Sequence, residues 1–488
     1  MPRIEISNLS FAYDDGTVIF QNLTLSLDSS WRLGLIGRNG RGKTTLLKIL
    51  SGELKSQGIV RSPVACVYYP GPAADPSLPS LEAALIAYPA AAEWRLRKEA
   101  SLLGLPDEAL LRPLSALSGG EAAKVLLAAL FAYEGDFLAL LDEPAAHLDA
   151  ESRAAVSSYL ASKRGFIIAS HDRALLDECA DHVLAINRGG VELEAGNYSS
   201  WAHNHALRLK FEESQREKLK KEAERHREAM SRTALWASKT EAVKFGYGPV
   251  DRGFIGHKAA KMAKRAKSAQ KRAAKAAEEK ESLIRNAEKS AKLTLTPMRS
   301  RSKVLIEGKG LAIGYGPEPL IENLDLIVER GEIVAVLGPN GSGKTLLMRV
   351  LAGEIPPLAG TLKFAPDLLL SAVPQIPAFN FATVKELAGK SGLEQSRLKA
   401  VLSHLGLETW SLEGGLTSMS LGQLKKTALA LSLCQSASLY LWDEPLSHLD
   451  IMARALIEEA VAAARPSMIL VEHDQAFVKK LATKAIRL

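Results

Sequence analysis

The sequence predicts an α/β protein in which two P-loop domains stand in tandem, joined by a long α-helical hairpin. Three observations carry that expectation. Short motifs recur in one order at an offset of 301 or 302 residues, each copy sets apolar runs ahead of its polar motifs, and the stretch between the copies is rich in Ala, Lys, Glu and Arg. At 488 residues, 47% apolar and 24% charged, the chain has length for two or three domains, each with its own core.

The repeat is read motif by motif. Tyr13 matches Tyr315, Gly37 to Thr44 (GRNGRGKT) matches Gly338 to Thr345 (GPNGSGKT), and Ser118 matches Ser420. Asp142 and Glu143 match Asp443 and Glu444, His147 matches His448, and His171 matches His473. Such constant spacing marks a duplication in register, with domains near 1–197 and 304–488. In each copy an apolar run (Leu33 to Ile36; Ile333 to Leu337) leads into the glycine loop and a helical pattern follows (Thr45 to Leu50; Leu346 to Leu351). That is the strand, loop and helix context a P-loop requires. The runs Phe137 to Leu141 and Leu439 to Trp442 precede the Asp-Glu pairs, and Phe166 to Ala169 and Met468 to Val471 precede the His-Asp pairs. Parallel strands buried on both faces read this way.

Those residues suit phosphate chemistry. Gly37, Asn39, Gly40 and Gly42, with Gly338, Asn340, Gly341 and Gly343, turn backbone N–H groups toward phosphate oxygens at a helix N-terminus. Lys43 and Lys344 then reach the β- and γ-phosphates of ATP, Thr44 and Thr345 reach Mg²⁺, and Thr45 lies beside them. Asp142 and Asp443 end strands where a carboxylate holds the Mg²⁺ shell. Glu143 and Glu444 are placed as general bases for the attacking water, with His171 and His473 holding the γ-phosphate. Tyr13 and Tyr315 are placed to stack on adenine, although an aromatic there equally suits edge-strand packing.

Between the domains, residues 198–303 read as a linker. Residues 201–303 hold 27 Lys/Arg against 12 Asp/Glu, a charge of +15 in a chain of +7, so all the other residues together carry −8. The composition favours two antiparallel helices, about 202–244 and 257–292, with an exposed tip near 245–256 where glycines and a proline cluster. Lys244, Arg252, Lys258, Lys261, Lys264 and Arg265 supply positive charge for phosphates, and Phe245, Tyr247 and Phe254 supply rings for unpaired bases, the combination RNA recognition uses. A solvated charged hairpin whose aromatics pin the turn is the plainer alternative.

The N-terminus lacks the pattern of a secretory signal, and no stretch reaches the roughly 18 apolar residues of a membrane helix. Cys66, Cys179 and Cys434 are far apart and without CxxC spacing, which argues against disulfides and zinc. A cytoplasmic protein is expected.

The segment LSGGE, Leu117 to Glu121, resembles the signature motif of ATP-binding-cassette proteins. The resemblance implies an ATPase whose two cassettes pair head to tail within one chain, each signature closing over ATP held by the other P-loop. One site would join Lys43, Asp142, Glu143 and His171 to Ser420, Gly422 and Gln423; the other would join Lys344, Gln375, Asp443, Glu444 and His473 to Ser118, Gly119 and Gly120. Two departures fall on the first site. The second signature reads MSLGQ, with Leu421 in place of glycine, and YYPGP puts Gly71 where a glutamine contacts Mg²⁺ and water, as Gln375 does in the other copy. A slower first site is expected.

Tandem cassettes, GNYSSW (Gly196 to Trp201), a charged linker of about a hundred residues and HLD after both Asp-Glu-Pro motifs resemble the ABC-F family of translation factors. Asp251 to Arg265 resembles that family's ribosome-protection branch, which confers resistance to large-subunit antibiotics. The resemblance implies a cytoplasmic monomer, with no membrane and no obligate protein partner, binding the ribosome with its linker at large-subunit rRNA and P-site tRNA near the peptidyl-transferase centre. The short span from Pro70 to Leu117 leaves little room for the arm helices some members insert there. A housekeeping factor for stalled translation, a transporter ATPase subunit and a DNA-remodelling ATPase are the rival readings.

Overall fold

The computed structural model describes residues 2–72, 75–146, 148, 150–187, 190–242, 264, 268, 293–316, 318–339, 341–379, 383–407 and 419–488. Two compact units result, Met1–Ser199 with Ala291–Leu488, and Ser200–Ser290.

In the first cassette β1 (Arg3–Ala12), β2 (Val18–Asp28) and β3 (Arg32–Gly37) lead to α1 (Lys43–Leu50), then β4 (Gln57–Arg61) and β5 (Ala65–Tyr69). A helical subdomain follows, of α2 (Ser80–Ala87), α3 (Glu93–Leu102), α4 (Asp107–Leu111) and α5 (Gly119–Phe131). The chain returns through β6 (Phe137–Asp142), α6 (Ala150–Ala161), β7 (Phe166–Ala169), α7 (Arg173–Cys179), β8 (His182–Asn187) and β9 (Gly190–Ala195) before entering α8 (Tyr198–Ala242). The second cassette repeats the plan: β10 (Val304–Ile313), β11 (Ile321–Glu329), β12 (Ile333–Leu337), α9 (Lys344–Leu351), β13 (Ala359–Phe364), β14 (Leu370–Val373), α10 (Val384–Lys390), α11 (Gln395–His404), α12 (Leu421–Cys434), β15 (Leu439–Asp443), α13 (Ile451–Ala464), β16 (Met468–Val471), α14 (Gln475–Leu481) and β17 (Lys484–Arg487).

Each cassette carries a three-stranded antiparallel sheet, β2-β1-β4 or β11-β10-β13, and a larger sheet ordered β5-β6-β7-β3-β8-β9 or β14-β15-β16-β12-β17. The larger sheets are parallel except for the β8–β9 pair. The central strands β7 (FIIA) and β16 (MILV) are buried at every residue, which accounts for their unbroken apolar runs. Their positions put the ends of β6 and β15, with Asp142 and Asp443, beside the glycine loops that follow β3 and β12. Ligand sites of open parallel sheets form at such strand ends.

The structure departs from the sequence reading around the linker. Helix α8 starts at Tyr198 rather than near 202, its first turn anchored where Ser199 N–H and Oγ donate to Asp177 at 2.6 Å each. Residues 293–302, read as linker, pack with the second cassette. Leu293 and Leu295 are buried in its core, Met298 N–H donates to Ala437 O at 2.8 Å, and Ser300 Oγ donates to Asp367 at 2.8 Å. The expected tip and nearly all of the second arm lie outside the described residues.

Candidate ATP sites

Two left-handed glycines shape each phosphate loop. Gly42 and Gly343 cap α1 and α9 with φ of +92° and +91°. A Cβ on Gly42 would overlap Ile19, and one on Gly343 would lie 3.0 Å from Ile321, so the neighbouring antiparallel sheet also demands glycine. Gly40 and Gly341 are left-handed as well, with open space around them. Gly37 and Gly338 supply carbonyls: Lys43 Nζ donates to Gly37 O at 2.8 Å, and Lys344 Nζ donates to Gly338 O at 2.9 Å and Pro339 O at 2.6 Å. Burial lowers the Lys43 pKa, opposed by Asp450, Glu143 and Asp142. Thr44 is exposed, Thr45 is buried with its hydroxyl 2.8 Å from that of Tyr13, and Asn340 lies outside the described residues.

The carboxylates come next. Asp443 is 2% exposed, its Oδ1 has no hydrogen-bond partner, and burial pushes its pKa up to about 6 against a hydrogen bond with Thr345. A buried, unpartnered oxygen beside a threonine hydroxyl is the donor chemistry a hard cation takes, so the residues fit Mg²⁺. Among the described residues no cluster of three or more His, Cys, Asp or Glu could hold a metal unaided, and an ion here would share its shell with phosphate oxygens and water. Asp142 is partnered differently: its Oδ2 accepts from the Tyr68 hydroxyl at 3.0 Å.

Glu143 and Glu444 follow with φ of +50° and +47°, left-handed backbone that these residues rarely adopt, each pinned where its N–H donates to the adjacent strand, Ala169 O at 2.9 Å or Val471 O at 2.8 Å. Glu143 Oε1 is 3.4 Å from His171 Nε2, and Glu444 Oε1 is 3.6 Å from His473 Nε2. The electrostatics diverge. Burial pushes Glu143 up to about 7 and His171 well below its ordinary value, whereas the neighbouring His473 holds Glu444 below the ordinary value against burial. Gln375 belongs only to the second set: its Oε1 accepts from Thr345 Oγ1 at 3.1 Å and its Nε2 donates to Glu444 Oε1 at 3.3 Å.

The signature serines are helix N-caps. Ser118 and Glu121 form a capping box on α5, and Ser420 and Gln423 form one on α12. Gly119 is exposed and Gly120 half-buried, Leu421 is 45% exposed, and a Cβ on Gly422 would come within 3.1 Å of His448. The first phosphate loop meets that region of the second cassette. Asn39 N–H donates to Asp450 Oδ2 at 3.3 Å and its side-chain amide to His448 O at 3.0 Å, while Arg38 donates to His404 O at 2.7 Å. In the opposite direction Arg153 of the first cassette donates to His473 O at 3.4 Å.

Tyr13 packs edge-on to Phe11 at 5.0 Å, and Tyr315 is 75% exposed. Lys264 is exposed and helical; Lys244, Phe245, Tyr247, Arg252, Phe254, Lys258, Lys261 and Arg265 lie outside the described residues, as does His147. Sequence reasoning missed Tyr68 and Lys425. Fully buried Lys425 donates to Pro374 O at 2.6 Å, Gln375 O at 3.2 Å and Asp443 O at 2.6 Å, tying α12 to two site residues. Its only signal in the sequence is that KK follows MSLGQL where AAK follows LSGGE.

A family model described as "ABC transporter" matches residues 20–146 and 321–447. The chain belongs to that family, with two of its ATPase domains in tandem, and it is an ATPase. Relatives that match it over nearly its whole length include ABC-F proteins. It is 28% identical over 487 residues to the ribosome protection protein VmlR of Bacillus subtilis, covering 98% of this chain and 85% of that one. It is 28% identical over 521 residues to the energy-dependent translational throttle protein EttA of Escherichia coli, covering 95% and 88%. The solved structure of an archaeal ribosome recycling factor in complex with a stalk protein shares the fold, with TM-score 0.62, 20% identity and coverage of 98% and 87%.

Proposed function

We propose that this ATPase is a cytoplasmic, monomeric ribosome-binding translation factor whose two cassettes pair within the chain. The linker acts near P-site tRNA and the peptidyl-transferase centre, protecting the ribosome from large-subunit antibiotics. The observation that carries the reading is the +15 linker between two cassettes that together carry negative charge. Polyanion binding by such a segment needs no other partner to explain it. Full-length similarity to VmlR and EttA supports it.

Lys43 and Lys344 would hold the phosphates of ATP, Thr44, Asp142, Thr345, Gln375 and Asp443 would hold Mg²⁺, and Glu143 and Glu444 would take the proton of the attacking water. Mg²⁺ supplies neutralisation of charge on the β- and γ-phosphates. His171 and His473, whose Nε2 atoms lie 3.4 and 3.6 Å from Glu143 and Glu444, would hold the γ-phosphate. Closure on ATP would favour docking and hydrolysis would favour release, because a ligand shifts a two-state equilibrium only by its differential affinity. A housekeeping role in translation is the second reading, supported by equal identity to EttA.

A translating extract inhibited by large-subunit antibiotics, one class at a time, separates the two. Protection predicts that the purified chain restores synthesis with at least one class, and that changing Lys258, Lys261, Lys264 and Arg265 to Glu removes the rescue while leaving ATP hydrolysis. Failure with every class leaves the housekeeping reading.

A further inference from the structure

The first cassette carries Gly71 where the second carries Gln375, and its surroundings are built for that glycine. Pro70-Gly71 follows β5 as Pro374-Gln375 follows β14, and both strands pair in parallel with the strand that ends in the site aspartate. Gly71 N–H donates to Tyr88 Oη at 2.9 Å, and the Tyr88 hydroxyl donates to Tyr68 O at 3.2 Å. Tyr88 is 4% exposed, and a Cβ on Gly71 would sit 2.9 Å from its Cζ. A glutamine could not enter without displacing a buried ring.

Tyr88 thus holds the strand end that presents Tyr68, whose hydroxyl donates to Asp142 Oδ2 at 3.0 Å. The corresponding residue in the second cassette is Ala372, which has no polar side chain, and there the aspartate keeps an unpartnered oxygen while Gln375 bridges Thr345 and Glu444. The two cassettes solve one problem differently.

We propose that Tyr68 is a positioning residue for the first ATP site, orienting the Asp142 carboxylate toward Mg²⁺ where no glutamine is present. The phenol occupies one carboxylate oxygen and fixes the rotamer, so the other oxygen is aimed without the amide that bridges Thr345 and Glu444 in the second cassette. Carboxylates that serve a metal are themselves held by hydrogen bonds from residues behind them, and loss of such a partner typically costs about tenfold or more in metal affinity. The inference rests on the assignment of Asp142 to the Mg²⁺ shell.

The test measures equilibrium binding of a fluorescent ATP analogue against Mg²⁺ concentration in the cold, in a Lys344→Ala chain that leaves the first site to report. Tyr68→Phe keeps the ring and removes only the hydroxyl. It should raise the Mg²⁺ concentration for half-maximal binding about tenfold, leave binding in EDTA unchanged, and have no effect in a Lys43→Ala chain that reports the second site. An unchanged Mg²⁺ requirement, or an equal rise at both sites, overturns the proposal. Asp142→Asn in the same chain separates the layers: if it also changes nothing, the assignment of Asp142 has failed; if it alone raises the requirement, only Tyr68 has.

Discussion

Glu143 and Glu444 leave their strands with the same left-handed backbone and lie at similar distances from a histidine. Their surroundings then part. The neighbouring His473 holds Glu444 below its ordinary value and Gln375 donates to it at 3.3 Å, while burial lifts Glu143 to about 7 and Gly71 has no side chain to offer it. Position comes before pKa in general-base catalysis, and only Glu444 has a glutamine to hold its carboxylate. Glu444→Gln should therefore lower steady-state ATP hydrolysis about tenfold more than Glu143→Gln, measured as phosphate release at saturating ATP; equal losses would contradict an unequal pair. Lys425 offers a second check. Its ammonium satisfies three carbonyls around Gln375 and Asp443, so Lys425→Met in a Glu143→Gln chain should cut the remaining turnover about tenfold, with a smaller effect in a Glu444→Gln chain. The glycine loops were legible because phosphate chemistry restricts which residues can stand there. Lys425 and Tyr68 were not, because main-chain carbonyls and a single carboxylate can be met by many residues at no fixed spacing.

Strands β3, β6, β7 and their counterparts were legible as apolar runs, since both faces of a parallel sheet are covered. The linker's end was less so. Nothing periodic marks residues 293–302, where Leu293 and Leu295 join the second cassette's core and Ser300 donates to Asp367. Helices α7 and α13 supply an inter-cassette contact absent from any motif: Arg173 Nη1 donates to Glu458 at 2.6 Å, and Lys480 donates to the same carboxylate at 2.5 Å. Burial would raise the Glu458 pKa, but Lys480 and Arg173 outweigh it and hold it below the ordinary value. Its folded pKa is thus depressed, so its contribution is full above the unfolded value and is lost as pH falls through the folded one. Arg173→Met should lower thermal stability by roughly 1–3 kcal/mol at neutral pH, and the gap between variant and parent melting curves should close below about pH 4. A gap that persists in acid would assign the effect to packing.

At the scale of the molecule, a duplicated α/β cassette encloses a segment of opposite charge character, +15 inserted into a body of −8. The first phosphate loop meets the second cassette through Arg38 and Asn39, beside the signature of α12, so nucleotide bound at that loop would be coupled to cassette pairing. Coupling of that kind is reciprocal: whatever binds the paired form tightly also favours ATP. The most direct measurement is co-sedimentation of a Glu143→Gln, Glu444→Gln chain with ribosomes, in ATP and in ADP. Both substitutions should leave ATP bound and unhydrolysed, so the account predicts pelleting with ribosomes in ATP, weakening as salt rises, and little in ADP. Absence of pelleting in ATP at moderate salt would contradict the account and leave a tandem ATPase with a different polyanionic partner.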